Sequence, residues 1–367
     1  MEDGFRFADE LGPAKIIHIH EPRSALKAVL VVDNVAAGPS IGGVRMAPDV
    51  STAECFRLAR AMTLKNAAAG LPHGGGKAVV FADPAMPPER KERLVRAFAR
   101  AIGDVKDYIP GPDMGTDERC MAWVRDETGR SVGLPPEIGG IPLDEIGATG
   151  FGLAVAVDVA RAYCDLELAG ARVAVQGFGS VGKHAARFLA EKGAVLVAAS
   201  DSRGTLYDPE GLDVGRLIEI KQAGGAVTDY PDGRKLDREA VVGIACDIWI
   251  PAARPDVLRK DNVDSLKARL VAQGANIPVT DEAEAALQAR GILSIPDFIA
   301  NAGGVICAAV EYHGGTQGQA FQTIEEKIRH NTDRVLAEAK RRGSLPRAAA
   351  VALATARVRR AMDYRRA

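Results

Sequence analysis

The sequence predicts an α/β protein of two domains, one of them a doubly wound parallel sheet. Three observations carry this expectation. Two strand-like runs open the chain, KIIHIH at 15–20 and KAVLVVD at 27–33, before the period changes to helical at Ser51. A stretch dense in glycine and proline, LPPEIGGIPLDEIGATG at 134–150, marks a domain boundary. Beyond it strands and helices alternate, which is the pattern of a parallel sheet covered on both faces.

Element by element, Ser51 and Glu54 have the spacing of a capping box. Leu58, Met62 and Lys65, with Ala61, Leu64 and Ala68, follow at helical intervals until Gly70 and Pro72 stop them. His73–Gly76 then reads as a glycine-rich loop, Ala78–Ala82 as a strand, Arg90–Ile102 as a helix and Ile109–Gly115 as a loop, with another helix from about Asp117. After the boundary come helix 151–163, strand 171–176, helix 181–192 and strand 194–200, then strands near 246–250, 269–273 and 292–295. From about Phe321 the chain is helical and ends in the basic run RVRRAMDYRRA. That run reads as a solvated helix face packing back on the protein, with nucleic-acid binding as the alternative. The expected domains are 1–145, 146–334 and a C-terminal helical segment, 335–367, that returns to the first.

Composition narrows the function classes. A length of 367 residues suits two domains, and 47% apolar with 26% charged residues is ordinary for a globular chain. Net charge is −1, so no long-range field draws the molecule to nucleic acid or an anionic membrane. Cys55, Cys120, Cys164, Cys246 and Cys307 are scattered without metal-ligand spacing, as reduced thiols are. With no basic-then-apolar leader and no run of bilayer length, the expected location is cytoplasmic.

The segment ARVAVQGFGSVGKHAARFLAEKGAVLVAASD holds a dinucleotide fingerprint. Gly177, Gly179 and Gly182, with Ser180 and Val181 between them, follow an apolar strand and open an amphipathic helix. Gly177 serves the tight turn, Gly179 the approach of backbone to pyrophosphate, and Gly182 close packing of helix on strand. The helix N-terminus offers free N–H groups to phosphate. Asp201, 19 residues beyond Gly182, is placed to accept from the adenosine ribose hydroxyls. Its charge favours NAD over NADP, while Ser202 and Arg203 beside it could hold a 2′-phosphate.

MTLKNAAAGLPHGGGKAVVFADP at 62–84 carries a second signal. It is not a phosphate-binding P-loop: Leu71 stands where the first glycine is needed, and Ala78 follows the lysine in place of Ser or Thr. What remains is Lys65 near a helix C-terminus and Lys77 leaving a glycine-rich loop. A half-buried Lys65 needs an anion, which a substrate carboxylate would supply. A second lysine close by would lose basicity through like charge and desolvation and could serve as a base. Two ion-paired structural lysines are the alternative reading. His18 and His20 share one strand face, but two histidines without a third ligand are commonly structural, and no metal is expected.

The same segment, with its GGGK core and Asp83-Pro84, resembles the signature of the glutamate/leucine/phenylalanine/valine dehydrogenase family. GPSIGGVRM (38–46) looks like its substrate-binding turn and PGPDMGTDE (110–118) like its catalytic-aspartate loop. GATGFG (147–152), VAQGANIPVT (271–280) and PDFIANAGGV (296–305) look like parts of its cofactor domain. The resemblance implies a substrate and oligomerisation domain followed by a Rossmann-type domain, in a homo-oligomer. It further implies that Lys65 and the backbone of Gly42 and Gly43 bind the substrate α-carboxylate, that Lys77 activates water, and that Asp113 binds the amino group and moves its proton. Thr149, Asn276 and Asn301 would hold the nicotinamide and its ribose. The implied reaction converts an L-amino acid and water to a 2-oxo acid and ammonium.

Glutamate-specific members of that family resemble one another in a lysine before the paired glycines and a serine downstream of NAGGV. Here those places hold Ile41 and Ala308. A side-chain carboxylate facing them would lose its partners at a cost of several kcal/mol, whereas an apolar side chain gains about 25 cal/mol per Å² buried. The expected substrate is therefore leucine, valine, isoleucine or phenylalanine. Glutamate is the alternative, because DMGTDERCMAWVRDETG and SDSRGTLYDPEGLD resemble the glutamate enzymes.

Overall fold

The computed structural model describes residues 5–365, which divide into two compact units. The first comprises residues to Leu143 with Val305–Ala320 and the chain from Val351; the second comprises Asp144–Gly304 and Phe321–Ala350.

In the first unit, strands β1 (Lys15–Glu21), β2 (Leu26–Asn34), β3 (Ser40–Ala47), β4 (Gly74–Phe81) and β5 (Tyr108–Pro112) form one sheet. Its order is β1-β2-β4-β3-β5. The β1–β2 and β2–β4 pairs are antiparallel, whereas β3 runs parallel to both β4 and β5. Helix α1 (Thr52–Ala68) covers one face through Cys55 and Ala59, which pack on Val29, Val31 and Val79. Helices α2 (Pro88–Ala101) and α3 (Glu118–Thr128) cover the other with Leu94, Phe98, Met121 and Val124. Because both faces are covered, β2 reads as an almost unbroken apolar run, while the edge strand β1 alternates.

Two segments expected to be loops are strands. The glycines before Lys77 belong to β4. Each is crowded from a different side: a Cβ on Gly75 would come 2.0 Å from the Thr63 backbone nitrogen of α1, one on Gly74 1.7 Å from the Asn34 carbonyl oxygen, and one on Gly76 2.8 Å from Ser40 Oγ. Residues 108–112 form β5 despite Pro110 and Pro112, and β5 is an edge strand, where missing N–H groups are tolerated. The predicted capping box is half present. Ser51 accepts from the Glu54 N–H at 3.1 Å, but the Glu54 carboxylate is bound to Arg45.

The second unit begins with α4 (Ala148–Ala160) and continues through β6 (Arg172–Gln176), α5 (Ser180–Ala190), β7 (Val195–Ser200), β8 (Thr205–Tyr207), α6 (Val214–Gln222) and β9 (Arg234–Leu236). Then come β10 (Ile248–Pro251), β11 (Leu270–Ala272), α7 (Asp281–Ala289), β12 (Leu293–Ile295) and α8 (Asp297–Ala300). The sheet order is β12-β11-β10-β6-β7-β8-β9, parallel from β12 to β7 and antiparallel thereafter. The chain leaves β6 toward β7 and later crosses back to β10. The turn after β6 therefore stands at the topological switch point, where open α/β sheets bind ligands.

Helices α9 (Gly303–Tyr312), α10 (Gln317–Arg342) and α11 (Pro346–Asp363) complete the chain. Their allotment differs from the expected domains. Residues 305–320 join the first unit, where Glu311 accepts from the N–H groups of Leu134 and Ile141. Residues 335–350 join the second with the rest of α10, which Arg329 ties to Asp158 at 2.6 Å. Only from Val351 does the terminal helix belong to the first unit; there Ala354 and Val358 pack against Leu11 and Ala67. Among the described residues no helix is long and apolar enough to cross a membrane.

Candidate active site

In the first unit the parallel strands β4, β3 and β5 bring Lys77, Gly43 and Asp113 together. Side chains alternate along a strand, so Ile41, Gly43 and Arg45 of β3 share a face. A Cβ on Gly43 would stand 2.7 Å from the Asp113 Cβ and 3.2 Å from the Lys77 Nζ. That closeness is why the position must lack a side chain. The β3–β4 ladder pairs Ile41 with Gly75 and resumes at Val44 with Ala78, leaving the two glycines between. Gly42 is fixed from the β5 side, where the buried Tyr108 hydroxyl donates to its carbonyl at 2.8 Å.

Lys77 and Asp113 form an ion pair, with side chains 8% and 17% exposed. Arg45 Nε lies 3.5 Å from the same Asp113 oxygen, and Arg45 Nη1 donates to Glu54 at 2.7 Å. Burial works against the Asp113 carboxylate, but Lys77 and then Arg45 outweigh it and hold the group at about 2. The Asp113 N–H donates to Thr116 Oγ1, whose hydroxyl donates to the Val44 carbonyl, and Oδ1 accepts from the Met114 N–H. The aspartate is thus oriented through its backbone and through both carboxylate oxygens.

Lys65 is half-buried in the last turn of α1. Its neighbour Asn66 donates to the Gly74 carbonyl at 2.7 Å and the Ile41 carbonyl at 3.4 Å, fixing that turn beside the starts of β3 and β4. Ile41 on β3 and Ala308 on α9 are both buried. Arg45 and Thr116 received no role from the sequence, and Glu54 only that of a cap partner. A signal for Arg45 existed, since it lies two residues from Gly43 on one strand and must share its face.

In the second unit the glycine turn after β6 is tied to the end of β7: the N–H groups of Gly177 and Phe178 both donate to the Ser200 carbonyl. Gly177 has φ +95°, as its expected turn requires. Gly179 precedes α5, and no side chain caps that helix, so Ser180, Val181 and Gly182 present its first turn. A cleft of about 400 Å³ runs over this turn, lined also by Asp201, Ser202, Lys221 and Arg254. Elsewhere in this unit the buried Asn301 donates to Asn276 Oδ1 at 3.2 Å and to the Gly274 and Ala275 carbonyls, leaving its own Oδ1 without a partner. Thr149 stands in the first turn of α4, against Gly303. The three residues expected at the nicotinamide thus fall around one helix start and one loop. An uncapped helix N-terminus and an orphaned amide oxygen are what a dinucleotide would complete.

Known proteins agree with both units. The family model described as "Glu/Leu/Phe/Val dehydrogenase, dimerisation domain" matches residues 14–130, and "Glutamate/Leucine/Phenylalanine/Valine dehydrogenase" matches residues 139–366. The NADP(+)-dependent glutamate dehydrogenase of Pyrobaculum calidifontis is 40% identical over 91% of this chain and 85% of that protein. The NAD-specific glutamate dehydrogenase of Staphylococcus aureus is 37% identical over 82% and 76%. In the crystal, the hetero-hexameric glutamate dehydrogenase of Thermus thermophilus (Leu bound form) superimposes with a TM-score of 0.87 at 30% identity, covering 97% of this chain and 90% of that one. The chain belongs to the glutamate/leucine/phenylalanine/valine dehydrogenase family and is an NAD- or NADP-dependent oxidoreductase acting on the CH–NH2 group of an amino acid.

Proposed function

We propose that the chain interconverts L-glutamate and 2-oxoglutarate with release or uptake of ammonium. The observation that carries this reading is that relatives near 40% identity over most of their length are glutamate dehydrogenases. The expected preference for an apolar amino acid thereby becomes the second reading. It keeps the support of Ile41, on the same strand face as Gly43, and of Ala308, both buried.

The dinucleotide, when bound, accepts the hydride that leaves the substrate Cα. The chain's own groups do the rest. Lys65 and the backbone at Gly42 and Gly43 take the α-carboxylate. Asp113, flanked by Lys77 and Arg45, is an anion at working pH and anchors the substrate amino group. In return the amino group replaces Lys77 as the partner of that carboxylate. Lys77 gives up its ammonium proton to solvent as it leaves the carboxylate, and the free amine then takes a proton from the water that adds to the imine carbon as the C–O bond forms. Collapse of that adduct breaks the C–N bond and releases ammonia, which leaves with the proton relayed through Asp113. Thr149, Asn276 and Asn301 hold the nicotinamide end and Gly177–Gly182 the pyrophosphate.

A steady-state panel of glutamate, leucine, valine, isoleucine and phenylalanine with each dinucleotide tests the substrate. Glutamate is expected to lead in kcat/KM by at least about tenfold, or 1.4 kcal/mol of transition-state binding. Leucine or valine in first place would reinstate the apolar reading. The matched dimerisation domain and the hetero-hexameric relative support assembly into a homo-oligomer, which light scattering on the purified chain would measure.

A further inference from the structure

The parallel strands of the second unit have two ends, and the glycine turn after β6 stands at one of them. At the other, where β11 and β12 begin, lies a cavity of about 600 Å³, a size ordinary for small-molecule sites. Ala268, Ile292 and Leu293 from the strand starts, with Leu336, Ala339 and Leu345 from α10 and the turn after it, give it an aliphatic wall. All of its lining belongs to the second unit, so the cavity is complete within that unit. Because β6, β10, β11 and β12 run parallel, the dinucleotide at their far ends does not account for it.

The charges of the lining are one-sided. Arg269, Arg290 and Lys340 line the cavity, and among the described residues none of them has a carboxylate within ion-pair distance. Arg269 donates to the Cys164 and Asp165 carbonyls and Arg290 to those of Val263 and Leu266, which leaves N–H groups to spare on each guanidinium. Glu284, the carboxylate of the lining, is buried and bound by Arg347 at 2.8 Å. An aliphatic wall beside unneutralised cations fits an anion with a hydrocarbon body. Its chain gains about 25 cal/mol per Å² buried, and its carboxylate takes charge-assisted hydrogen bonds from the guanidinium groups.

Glu284 also ties the cavity to the interior. Its Oε1 accepts from Gln273 Nε2 at 2.8 Å, and Arg347 donates in addition to Gln273 Oε1 and Asp297 Oδ1, each at 2.9 Å. Asp297 Oδ2 in turn accepts from the N–H of Ile277, the neighbour of Asn276, at 2.8 Å. Gln273, Glu284 and Asp297 are buried, and a buried network in which each member satisfies the next transmits displacement of one to the others.

We propose that this cavity is an effector site for an aliphatic carboxylate, and that Arg347 couples its occupancy to the nicotinamide end of the dinucleotide site. The coupling rests on the reading that Asn276 and Asn301 hold the nicotinamide; the binding does not.

Cys164 lines the cavity and is half-buried, so its alkylation reports occupancy without turnover. Octanoate is added to the full-length enzyme, and modification of Cys164 by N-ethylmaleimide is timed by peptide mass spectrometry. Octanoate is expected to slow it about fivefold or more, whereas acetate at equal concentration and ionic strength leaves it unchanged. Lys340→Glu should raise the octanoate needed for half-protection about tenfold. In NADH titrations followed by nicotinamide fluorescence, octanoate should shift the wild-type dissociation constant about threefold or more. Arg347→Lys should abolish that shift and keep the protection of Cys164, because an ammonium lacks the planar fork that bridges Glu284, Gln273 and Asp297. Unchanged alkylation in octanoate overturns the site, and equal protection by acetate overturns the aliphatic ligand. Protection with an unmoved NADH constant overturns the coupling. A chain that binds no NADH would remove the dinucleotide reading and the coupling with it, while the alkylation rates still decide the site.

Discussion

Asp113 with Lys77 in the first unit and Asp201 with Lys221 in the second each stand just past the end of a parallel strand, and the two pairs are built differently. Asp113 faces two cations, Lys77 and Arg45, on an Oδ2 with no well-aligned hydrogen bond beyond the ion pair, and only one backbone N–H, that of Met114, binds its carboxylate, at Oδ1. Asp201 faces one cation, and two backbone N–H groups supply its other partners. A carboxylate held by mobile side chains can exchange one of them for a substrate ammonium. One held by its own backbone is fixed and can only present or hide its charge. The first arrangement suits chemistry, the second selection.

Removing the first pair is expected to have the largest effect. Lys77→Ala and Asp113→Asn should each lower kcat by about 10²–10⁴-fold, the usual worth of a positioned acid or base. Stopped-flow single turnover with the preferred amino acid would measure it, and near-normal turnover in either variant would dissolve the distinction drawn above.

Acid titration comes next. The folded-state pKa of Asp113, about 2, lies below its ordinary value of 3.8, so the pair's contribution is full above pH 4 and lost as pH falls through 2. Linkage makes that contribution about 2 kcal/mol. Urea unfolding of wild type and Asp113→Asn at pH 5 and pH 2.5 should therefore converge at the lower pH; parallel pH dependences would show that the pair is not stabilising.

The smallest effect belongs to Asp201→Asn. An amide keeps an acceptor for one of the two backbone donors and turns its NH2 toward the other, so the KM for NADH should change by about tenfold, with kcat less affected. A collapse of kcat would place Asp201 with Asp113 and erase the contrast.

The sequence revealed these two regions unequally. The dinucleotide turn is a local device: strand, glycines and helix lie within twenty residues, and the structure has them in that order. The substrate side is assembled from β3, β4 and β5, and nothing local reports that parallel pairing. Ser40–Ala47 carried no predicted strand because its paired glycines read as a turn. Ile109–Gly115 reads as a loop because proline is penalised without knowing that the strand is at an edge. Arg45 and Glu54 illustrate the same limit, since Glu54 scores as a cap partner and only the fold shows that Arg45 competes for it. Lys221 was invisible for a related reason, being brought to Asp201 by α6. The C-terminal helices divide between the units at other residues than expected, because helical periodicity marks which residues are helical, not which sheet they cover.

The thiols bear on how this enzyme meets electrophiles and oxidants. All five cysteines are free, and Cys55 sits directly behind Lys77, donating to its carbonyl at 3.2 Å. Burial pushes the thiols of Cys55, Cys120, Cys246 and Cys307 up to about 12. At neutral pH these four present protonated sulfur, which is a poor nucleophile toward alkylating agents and peroxide. A thiol reagent therefore meets first the half-buried Cys164 of the second unit. The strand that carries Lys77 thus has behind it a sulfur held in its protonated, poorly nucleophilic form.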